Sequence, residues 1–428
     1  MNALILVLLF FFFLAFSTPI AFALVFTCLF YLTFLSEMPV TFLASIMIGS
    51  LEHYSLIAIP LFIFAAQLMN ISRVTDRIFD FAKVLVGHLT GSLGHANIVA
   101  SIIFAGMSGS ALADAAGLGR VEIEGMTKEG YDKPFSAAVT AASSCIGPII
   151  PPSIIMVIYA SIAEESAGRV FLGGVIPGFF MGGAMMVIVY FISRNRGYKK
   201  YPRASLVEIW RSFRSAFLAL LTPAIILGGI GSGATTPTEA AVLAVAWSLF
   251  LGMVVYKEVR PSDLPRILST VIIYTAVVLF IFSAASVFTR LITIERIPFI
   301  FAHFLMTALQ EKWLILFVLN IFLLIGGMVM EPTPLLLIVT PVMLPIAQAL
   351  DIDLVHLGVF MVLNLVIGNL TPPFALALYV VSDITKVPFW TIVRATAPFY
   401  IPLIVTLFAI VYYSPLVMWL PNLLLPVE

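Results

Sequence analysis

Two interrupted apolar stretches decide the fold of this chain: Gly106-Met107-Ser108-Gly109-Ser110 and Gly147-Pro148-Ile149-Ile150-Pro151-Pro152-Ser153. Both lie among residues that are apolar enough for the interior of a lipid bilayer. Backbone groups without partners cost several kcal/mol there unless protein, water or an ion satisfies them. An interrupted helix at membrane depth is therefore a candidate binding site.

The composition predicts a membrane protein with many crossings. Of the 428 residues, 61% are hydrophobic and 10% are charged, whereas about 25% are charged in a typical soluble domain. Windows of about 20 apolar residues recur along the chain, which favours spanning helices. The formal net charge is zero, so nucleic acid is not an expected partner. The five histidines show no paired spacing, so no transition-metal site is expected.

The sequence also repeats itself. At an offset of 221 residues, Gly106-Met107 recurs as Gly327-Met328, and Gly147 with Pro151-Pro152 recurs as Gly368 with Pro372-Pro373. At an offset of 218, Thr18-Pro19 recurs as Thr236-Pro237, and Leu61–Phe64 as Leu279–Phe282. Matches in a single order predict two homologous halves, residues 1–200 and 215–428, joined by a linker at 201–214.

The distribution of basic residues predicts that the two halves have opposite orientations. The segment from Arg194 to Arg214 carries seven Lys and Arg residues and one acid, so we expect it, with the linker, in the cytoplasm. The loop 36–53 has no Lys or Arg, whereas the equivalent loop 257–266 has three. The segment after Tyr413 has none and is expected outside. Inverted repeats of this kind place two half-sites opposite each other near the middle of the membrane.

The predicted fold is therefore all-α and polytopic, with about ten crossings and two re-entrant hairpins. The first half is predicted to contain two crossings in 2–35, an interfacial amphipathic helix at 72–88, a hairpin at 92–118, a cytoplasmic segment with charges of both signs at 120–133 and a broken helix at 134–161. The second half is predicted to contain an outer interfacial piece around Glu295 and Arg296, a hairpin at 313–349 and a broken helix at 358–382. Single spans are predicted at 54–70, 171–193, 215–233, 236–256, 269–289 and 395–417. The arms of the first hairpin are expected to be about 12 to 15 residues long, too short to span.

Helix breaks that face each other offer carbonyl and hydroxyl oxygens to a small cation, and helix N-termini to an anion. The candidates in the first half are Ser108, Ser110, Ser144 and Gly147. Those in the second half are Met328, Glu331, Thr333, Gly368, Asn369 and Thr371. The alternative is that these small residues only let helices pack closely. Because the turns recur in register, we favour the binding site.

Two acids fall inside the predicted hairpins, Asp114 and Glu331. A charge at the centre of the bilayer costs about 2.5 to 3.5 kcal/mol on insertion scales, so such residues usually face a partner, water or a transport pathway. These two could supply charge to a cation site or titrate. The alternative is that they lie close enough to the surface to be solvated.

Several motifs together resemble a known family. They are Ser108–Ala111 with Asp114–Ala116, Ile150–Ser153, Val175–Gly178, Thr236–Ala241 and Asn369–Pro373. This set is similar to the large membrane subunit of tripartite ATP-independent periplasmic (TRAP) transporters, over essentially the whole chain. The resemblance implies a sodium-driven, elevator-type importer of the bacterial inner membrane. It also implies two partners, a small four-helix membrane subunit, here expected as a separate chain, and a soluble periplasmic substrate-binding protein.

The resemblance further implies that the hairpin tips and broken helices bind sodium and substrate. Sodium is then expected at Ser108, Ser110, Ser144, Gly147, Met328, Glu331, Thr333, Gly368 and Thr371. Substrate is expected at Ser108, Gly109, Asp114, Pro151, Pro332, Asn369 and Pro372. Substrates of such systems are mostly small carboxylates, including C4-dicarboxylates and sialic acid. No GxxxxGK[ST] motif is present, so the expected energy source is an ion gradient and not ATP.

Two other functions remain as alternatives. One is a stand-alone sodium-coupled anion carrier with the same hairpins. The other is an intramembrane hydrolase that uses Asp114 and Glu331 as paired carboxylates, which would have to reach one substrate. The repeat matches Ser110, not Asp114, with Glu331. We therefore predict that the protein is not an enzyme.

Overall fold

The computed structural model describes residues 2–426, and this part of the chain is built from helices without any strand. Met1, Val427 and Glu428, which fall at the ends of the two predicted halves, lie outside the described residues. The predicted all-α fold is confirmed.

The α-helices follow one another along the described residues in this order: α1 Asn2–Ala15, α2 Ile20–Phe34, α3 Thr41–Gly49, α4 Ala58–Ile71, α5 Val74–Val86, α6 Ser92–Ser108, α7 Ala111–Ala113, α8 Gly119–Lys128, α9 Lys133–Ser143, α10 Ile154–Ala163, α11 Ala167–Arg196, α12 Leu206–Gly231, α13 Pro237–Phe250, α14 Leu264–Ile294, α15 Ile297–Ala308, α16 Lys312–Val329, α17 Pro332–Ala349, α18 Leu354–Leu370, α19 Leu376–Thr385, α20 Phe389–Tyr412 and α21 Pro415–Leu424. A π-helical turn, Asp114–Leu118, joins α7 to α8 without a break.

Within residues 2–426, eight helical segments are long and apolar enough to cross a membrane. They are Tyr54–Ile71, Ala167–Arg196, Leu206–Gly231, Pro237–Val255, Pro261–Ile294, Lys312–Val329, Pro332–Ala349 and Phe389–Tyr412. The polytopic character predicted from the composition is therefore present in the structure.

The first 35 residues form two helices that pack against each other. The chain turns between Phe16 and Pro19, and the rings of Phe13 and Phe26 lie 5.8 Å apart across the pair. Helices α1 and α2 have 14 and 15 residues, and each is therefore shorter than a typical span of about 20 residues. That they make two crossings remains a prediction.

The same order of helices occurs in both halves of the chain. The run from α4 to α11 in the first half corresponds to the run from α14 to α20 in the second. Packing between the halves is reciprocal, since α2 lies against α14 while α4 lies against α13, the counterpart of α2. Exchange of equivalent partners is what a two-fold relation between two similar units produces.

The structure corrects the prediction for the first hairpin. Its first arm, α6, has 17 residues, and its second arm continues through the π-helical turn and α8 to Lys128. The predicted arms of about 12 to 15 residues and the boundary at 118 were therefore wrong, since the second arm includes most of the charged segment 120–133. Apolar Ile123 and Met126 lie three residues apart on one face of α8 and are buried, which holds this charged segment in a helix.

Other helix boundaries also differ from the prediction. The last long helix is α20, Phe389–Tyr412, and not 395–417, because the chain turns at Ser414 before Pro415 starts α21. Helix α14 is longer than the predicted span 269–289. Two further helices lie where a loop and an interfacial piece were expected, α3 within 36–53 and α15 after Arg296.

The predicted amphipathic helix at 72–88 is present as α5. Its apolar residues, among them Val74, Ile78 and Ala82, are buried against α6 and α12, while Asp76 and Asp80 are exposed. It begins after Arg73, whose backbone is left-handed with φ of 51°, and its counterpart α15 begins after Arg296 with φ of 58°. Each hairpin is thus preceded by a short helix that a left-handed residue separates from the longer helix before it.

Candidate functional site

The tip of the first hairpin is a tight turn between two helices. Helix α6 ends at Ser108, and Gly109 adopts a left-handed conformation with φ of 62°. Glycine adopts this conformation without the steric cost that other residues meet. The second arm then starts at Ser110, whose hydroxyl accepts a hydrogen bond from the backbone N–H of Ala113 at 3.4 Å.

This tip packs directly on the break in the first broken helix. A Cβ atom added to Gly109 would collide with the carbonyl oxygen of Pro152 and lie 3.3 Å from the Cα of Ser153. A Cβ atom added to Gly147 would lie 3.2 Å from the carbonyl carbon and oxygen of Ser110. Backbone therefore meets backbone on both sides of the contact, and the two interrupted apolar stretches lie against each other here.

The break itself runs from the end of α9 to the start of α10. A short turn at Ser144–Ile146 is followed by irregular chain as far as Ser153, whose hydroxyl accepts from the N–H of Met156 at 3.2 Å and starts α10. The Ser144 hydroxyl donates to the carbonyl of Ala141 at 2.8 Å. Both breaks contain a cis peptide bond, Pro151–Pro152 in the first and Pro372–Pro373 in the second.

We call the contact between a hairpin tip and the break of its own half a junction. Ser108 carries the free oxygen of the first junction. Its side chain is buried, and its hydroxyl has no hydrogen-bond partner within the described residues. A buried hydroxyl without a partner costs about 1 to 3 kcal/mol, so such a group usually has a water or an ion beside it. The structure thus brings together Ser108, Gly109, Ser110, Ser144, Gly147 and Pro151, all of which were predicted as site residues.

The second hairpin tip starts its second arm with an acid. Helix α16 ends at Val329, and the carboxylate of Glu331 accepts from the N–H of Thr333 at 3.3 Å and from its hydroxyl at 3.2 Å. A carboxylate is favoured at this position because the N-terminus of a helix carries partial positive charge. Pro332 is buried at the first position of α17.

The second tip also packs on its own break. A Cβ atom added to Gly327 would lie 3.1 Å from the Cα of Gly368, so the two helices touch through their backbones. The N–H of Phe374 donates to the carbonyl of Met328 at 3.0 Å and ties the break to the tip. As in the first half, the tip therefore lies against the break of its own half, here through Gly327 and Met328.

The second break also presents a free oxygen. Asn369 is buried, and its side-chain carbonyl oxygen has no hydrogen-bond partner within residues 2–426. The hydroxyl of Thr371 donates to the carbonyl of Ile367 at 2.9 Å, and Tyr400 donates to the carbonyl of Leu370 at 3.0 Å. Pro372 follows in the irregular segment before α19. The second set of predicted residues is therefore also assembled at one place.

The two junctions belong to one body of packed helices. Helix α19 of the second half lies against α7 of the first hairpin, and α10 of the first half lies against α17 of the second hairpin. The turn at Ser144–Ile146 contacts α18. Each tip is thus enclosed by its own break and by the last helix of the other broken helix.

Asp114 and Glu331 occupy different surroundings. Asp114 lies one turn beyond the first tip, buried beside the hydroxyl of Ser101 on α6. Neither of its carboxylate oxygens has a hydrogen-bond partner within the described residues. Glu331 instead sits at the second tip. The positions are not equivalent, as the repeat predicts.

Sequence reasoning missed a set of buried polar side chains that fasten each hairpin to its broken helix. In the first half, Asn97 on α6 donates to the hydroxyl of Thr140 at 2.7 Å and accepts from Ser143 at 2.8 Å. In the second half, Asn364 on α18 donates to the side chain of Asn320 on α16 at 2.5 Å. The signal was present, since Asn97 and Asn320 lie in the first arms of the two hairpins, 223 residues apart.

Within residues 2–426, no group of three or more His, Cys, Asp or Glu side chains lies close enough to hold a metal ion. The oxygen atoms at the two junctions are hydroxyl, amide and backbone carbonyl oxygens, with one nearby carboxylate. Such neutral, hard oxygen ligands suit an alkali cation better than a transition metal.

Comparison with known proteins gives the family. The family described as "Tripartite ATP-independent periplasmic transporter, DctM component" matches residues 7–416. The chain is 44% identical over 407 residues to the sialic acid TRAP transporter large permease protein SiaM of Vibrio cholerae, which covers 95% of both chains. It is 41% identical over 371 residues to the C4-dicarboxylate TRAP transporter large permease protein DctM of Pseudomonas aeruginosa, which covers 87% of both.

Two further matches differ in kind. The sialic acid TRAP transporter permease protein SiaT of Haemophilus influenzae is 41% identical over 380 residues, but these cover 89% of this chain and 62% of SiaT. Among solved structures, the YdaH transporter of Alcanivorax borkumensis superimposes with a TM-score of 0.66 over 89% of this chain and 90% of that one. At 13% identity, that similarity shows the fold alone.

The similarity predicted from the motifs is confirmed, and the relatives named above are transporters and permeases, not enzymes. This multi-pass membrane protein is therefore not an enzyme but belongs to the DctM component family of tripartite ATP-independent periplasmic transporters, as a large permease.

Proposed function

We propose that this chain imports a small carboxylate, of the sialic acid or C4-dicarboxylate type, driven by sodium. The named relatives support this substrate class, since SiaM of Vibrio cholerae is named for sialic acid and DctM of Pseudomonas aeruginosa for C4-dicarboxylates. The observation that carries the proposal is the pair of equivalent junctions between tip and break. Each contains a buried oxygen that has no hydrogen-bond partner among residues 2–426, on Ser108 in the first and on Asn369 in the second.

Sodium ions bind at these junctions and hold each tip on its break. The ligands are the predicted hydroxyl and carbonyl oxygens, together with the carboxylate of Glu331. Bound sodium adds positive charge beside the N-termini that start at Ser110 and Ser153, where an anion is already favoured. Occupancy by sodium then raises the affinity for the carboxylate, and coupling of this kind amounts to about 1 to 3 kcal/mol.

Transport follows an elevator-type movement of the two hairpins and broken helices. The scaffold consists of α1, α2 and α4 of the first half with α12, α13 and α14 of the second. The reciprocal packing of α2 on α14 and of α4 on α13 supports a scaffold that stays together while the hairpins move. The turns at Arg73 and Arg296 are the hinges, because each separates a scaffold helix from the short helix before a hairpin.

The chain works in the bacterial inner membrane with two partners. They are a small four-helix membrane subunit and a periplasmic substrate-binding protein, and the C-terminus lies in the periplasm. Large apolar side chains are exposed along α14, such as Ile272 and Val277, and α1 exposes Phe11 and Phe12. These faces suit lipid or the small subunit, since a soluble surface rarely shows so much contiguous apolar area.

The test is uptake of radiolabelled sialic acid and of a C4-dicarboxylate into proteoliposomes with an inward sodium gradient. The binding protein and the small subunit are each added or omitted, and choline replaces sodium in the control. Uptake that needs sodium and all components supports the proposal and identifies the substrate. Uptake that ignores the sodium gradient contradicts it. Uptake by this chain alone assigns it instead to the stand-alone anion carriers.

A further inference from the structure

A cavity of about 510 Å³ opens at one end of the second half. It lies between the start of α16, the start of α18 and the end of α20. Its walls include Glu311, Trp313, Asp351, Asp353 and Tyr412. The cavity is separate from the junctions between the hairpin tips and the breaks.

The cavity carries uncompensated negative charge. Glu311, Asp351 and Asp353 are exposed, and within residues 2–426 no Lys, Arg or His forms an ion pair with them. The ammonium group of Lys312 also lines the cavity, but it donates to the backbone carbonyls of Leu350 at 2.6 Å and Asp351 at 3.4 Å. Three carboxylates therefore face one ammonium group that is already engaged.

The first half of the chain shows what occupies the equivalent place. Asp353 corresponds to Asp132 at the offset of 221, and each carboxylate caps the helix that follows it. Both oxygens of Asp132 accept from a guanidinium nitrogen of Arg196, at 2.6 and 2.7 Å. The hydroxyl of Tyr198 also bonds to Asp132, and the guanidinium lies 5.4 Å from the ring centre of Phe135.

A difference in helix length accounts for the open cavity beside Asp353 in the second half. Helix α11 has 30 residues and ends at Arg196, whereas its counterpart α20 has 24 residues and ends at Tyr412. The chain then turns into α21, and Ser414 and Met418 line the cavity there, while within residues 2–426 no Lys, Arg or His forms an ion pair with Asp353. A planar ring is still present in the second half. His356 is equivalent to Phe135 of the first half, and His356 lines the cavity.

We propose that this cavity binds an arginine side chain of a partner polypeptide, with Asp353 as the main acceptor. Arginine fits better than lysine because its planar guanidinium can bind a carboxylate through two nitrogens and stack on a ring. Trp313 and Tyr412, both exposed at the rim, provide further aromatic surface. That the partner approaches from the periplasm depends on the orientation proposed above, but the binding itself does not.

Isothermal titration calorimetry of the full-length chain in detergent tests the proposal. The probe is the peptide N-acetyl-Arg-Gly-Tyr-amide, which reproduces residues 196–198, and the control replaces arginine with citrulline, a neutral group of the same shape. A hydrogen bond to a charged group contributes about 1.5 to 3 kcal/mol, so we expect the citrulline peptide to bind at least about tenfold more weakly. Equal affinity of the two peptides, or no binding of either, would overturn the proposal.

The variant Asp353→Asn locates the site. Asparagine caps a helix about as well as aspartate, so α18 keeps its start while the charge is lost. We expect Asp353→Asn to lower the affinity for the arginine peptide about tenfold. Glu37→Gln, which removes an exposed acid between α2 and α3, is the matched control and leaves the affinity unchanged. Unchanged affinity in Asp353→Asn contradicts the proposal. Neither result depends on transport, so this inference and the proposed function can fail separately.

Discussion

Gly109 has to be glycine for two separate reasons. Its backbone is left-handed, with φ of 62°, and a Cβ atom would collide with the carbonyl oxygen of Pro152. Gly197 is the matched control, because it also ends a helix with φ of 68°, but a Cβ atom added there would meet no other atom of the described residues within 4 Å. The left-handed conformation alone costs about 1 to 2 kcal/mol for other residues.

We therefore expect Gly109→Ala to impair transport and Gly197→Ala to have little effect on it. The collision adds to the conformational cost and pushes the tip off its break, so sodium affinity should fall about tenfold or more. The measurement is the initial rate of uptake as a function of sodium concentration. A sodium dependence in Gly109→Ala equal to that of Gly197→Ala would show that the contact with Pro152 is not needed.

Ser108 tests the role of the free oxygens. Its hydroxyl makes no hydrogen bond within the described residues, so Ser108→Ala removes no bond of the folded protein. We expect an unchanged unfolding temperature but an increase of about fivefold in the sodium concentration that gives half-maximal uptake. Ser161→Ala is the control, since the Ser161 hydroxyl donates to the carbonyl of Val157 at 2.9 Å on a different helix. An unchanged sodium dependence in Ser108→Ala would exclude this hydroxyl as a ligand.

Helices α10 and α18 make one of the close contacts between the two halves. The ring of Tyr159 on α10 is fully buried against Gly358 on α18, and its hydroxyl donates to the carbonyl of Leu354 at 2.6 Å. A Cβ atom on Gly358 would lie 2.9 Å from the Cζ of that ring and closer still to its edge. The first half is thus anchored on the broken helix of the second.

We expect Gly358→Ala to destabilise the protein by about 1 to 3 kcal/mol, the usual cost of overpacking a core. In Gly183→Ala, the control, the new methyl group meets no atom within 4 Å in the part of the chain that the structure describes, and alanine is favoured over glycine inside a helix by about 0.5 to 1 kcal/mol. The measurement is thermal unfolding in detergent. In a Tyr159→Leu background the cost of Gly358→Ala should shrink, because the two residues are in contact. An undiminished cost there would mean that the clash lies elsewhere.

Interruptions by glycine and proline were the elements that sequence could predict. Both tips and both breaks lie where Gly106–Ser110, Gly147–Ser153 and their repeats placed them, because those residues cannot continue a helix in lipid without new partners. The charges of Arg120–Lys133 did not reveal that most of this segment belongs to the second arm of the hairpin. The buried face of α8 includes the acid Glu122, which only the folded neighbours make visible. The bonds of Asn97 and Asn364 were missed for the same reason.

The repeat carried the prediction of the site as a whole. Spacing alone showed that two turns and two breaks recur, and the structure then placed each turn on the break of its own half. What spacing could not supply was the difference between the halves. Asp132 pairs with Arg196, whereas no arginine between residues 2 and 426 pairs with Asp353, where α20 is six residues shorter than α11. A local difference of this kind becomes visible only when equivalent positions are compared in three dimensions.

The opposite orientation of the two halves is the property on which facing half-sites depend. Glu164 and Lys386 can be used to measure this orientation, because they follow the equivalent helices α10 and α19 directly. Both residues are exposed, and their φ angles are 53° and 55°. Cysteine at either position meets the same backbone geometry as the native residue. The native thiols of Cys28 and Cys145 are buried and should not react with a bulky reagent.

We expect a maleimide that cannot cross membranes to label Glu164→Cys in intact spheroplasts and Lys386→Cys only in inside-out vesicles. The physical reason is that basic residues concentrate at the linker 201–214, which is expected to place that end of α11 in the cytoplasm and the end at Ala167 outside, because four of the seven Lys and Arg residues of Arg194–Arg214 precede the linker and three lie in it. Labelling of both positions from one side would mean that the halves run parallel. The two tips would then approach the substrate from the same face, and a site enclosed between opposed tips would be ruled out.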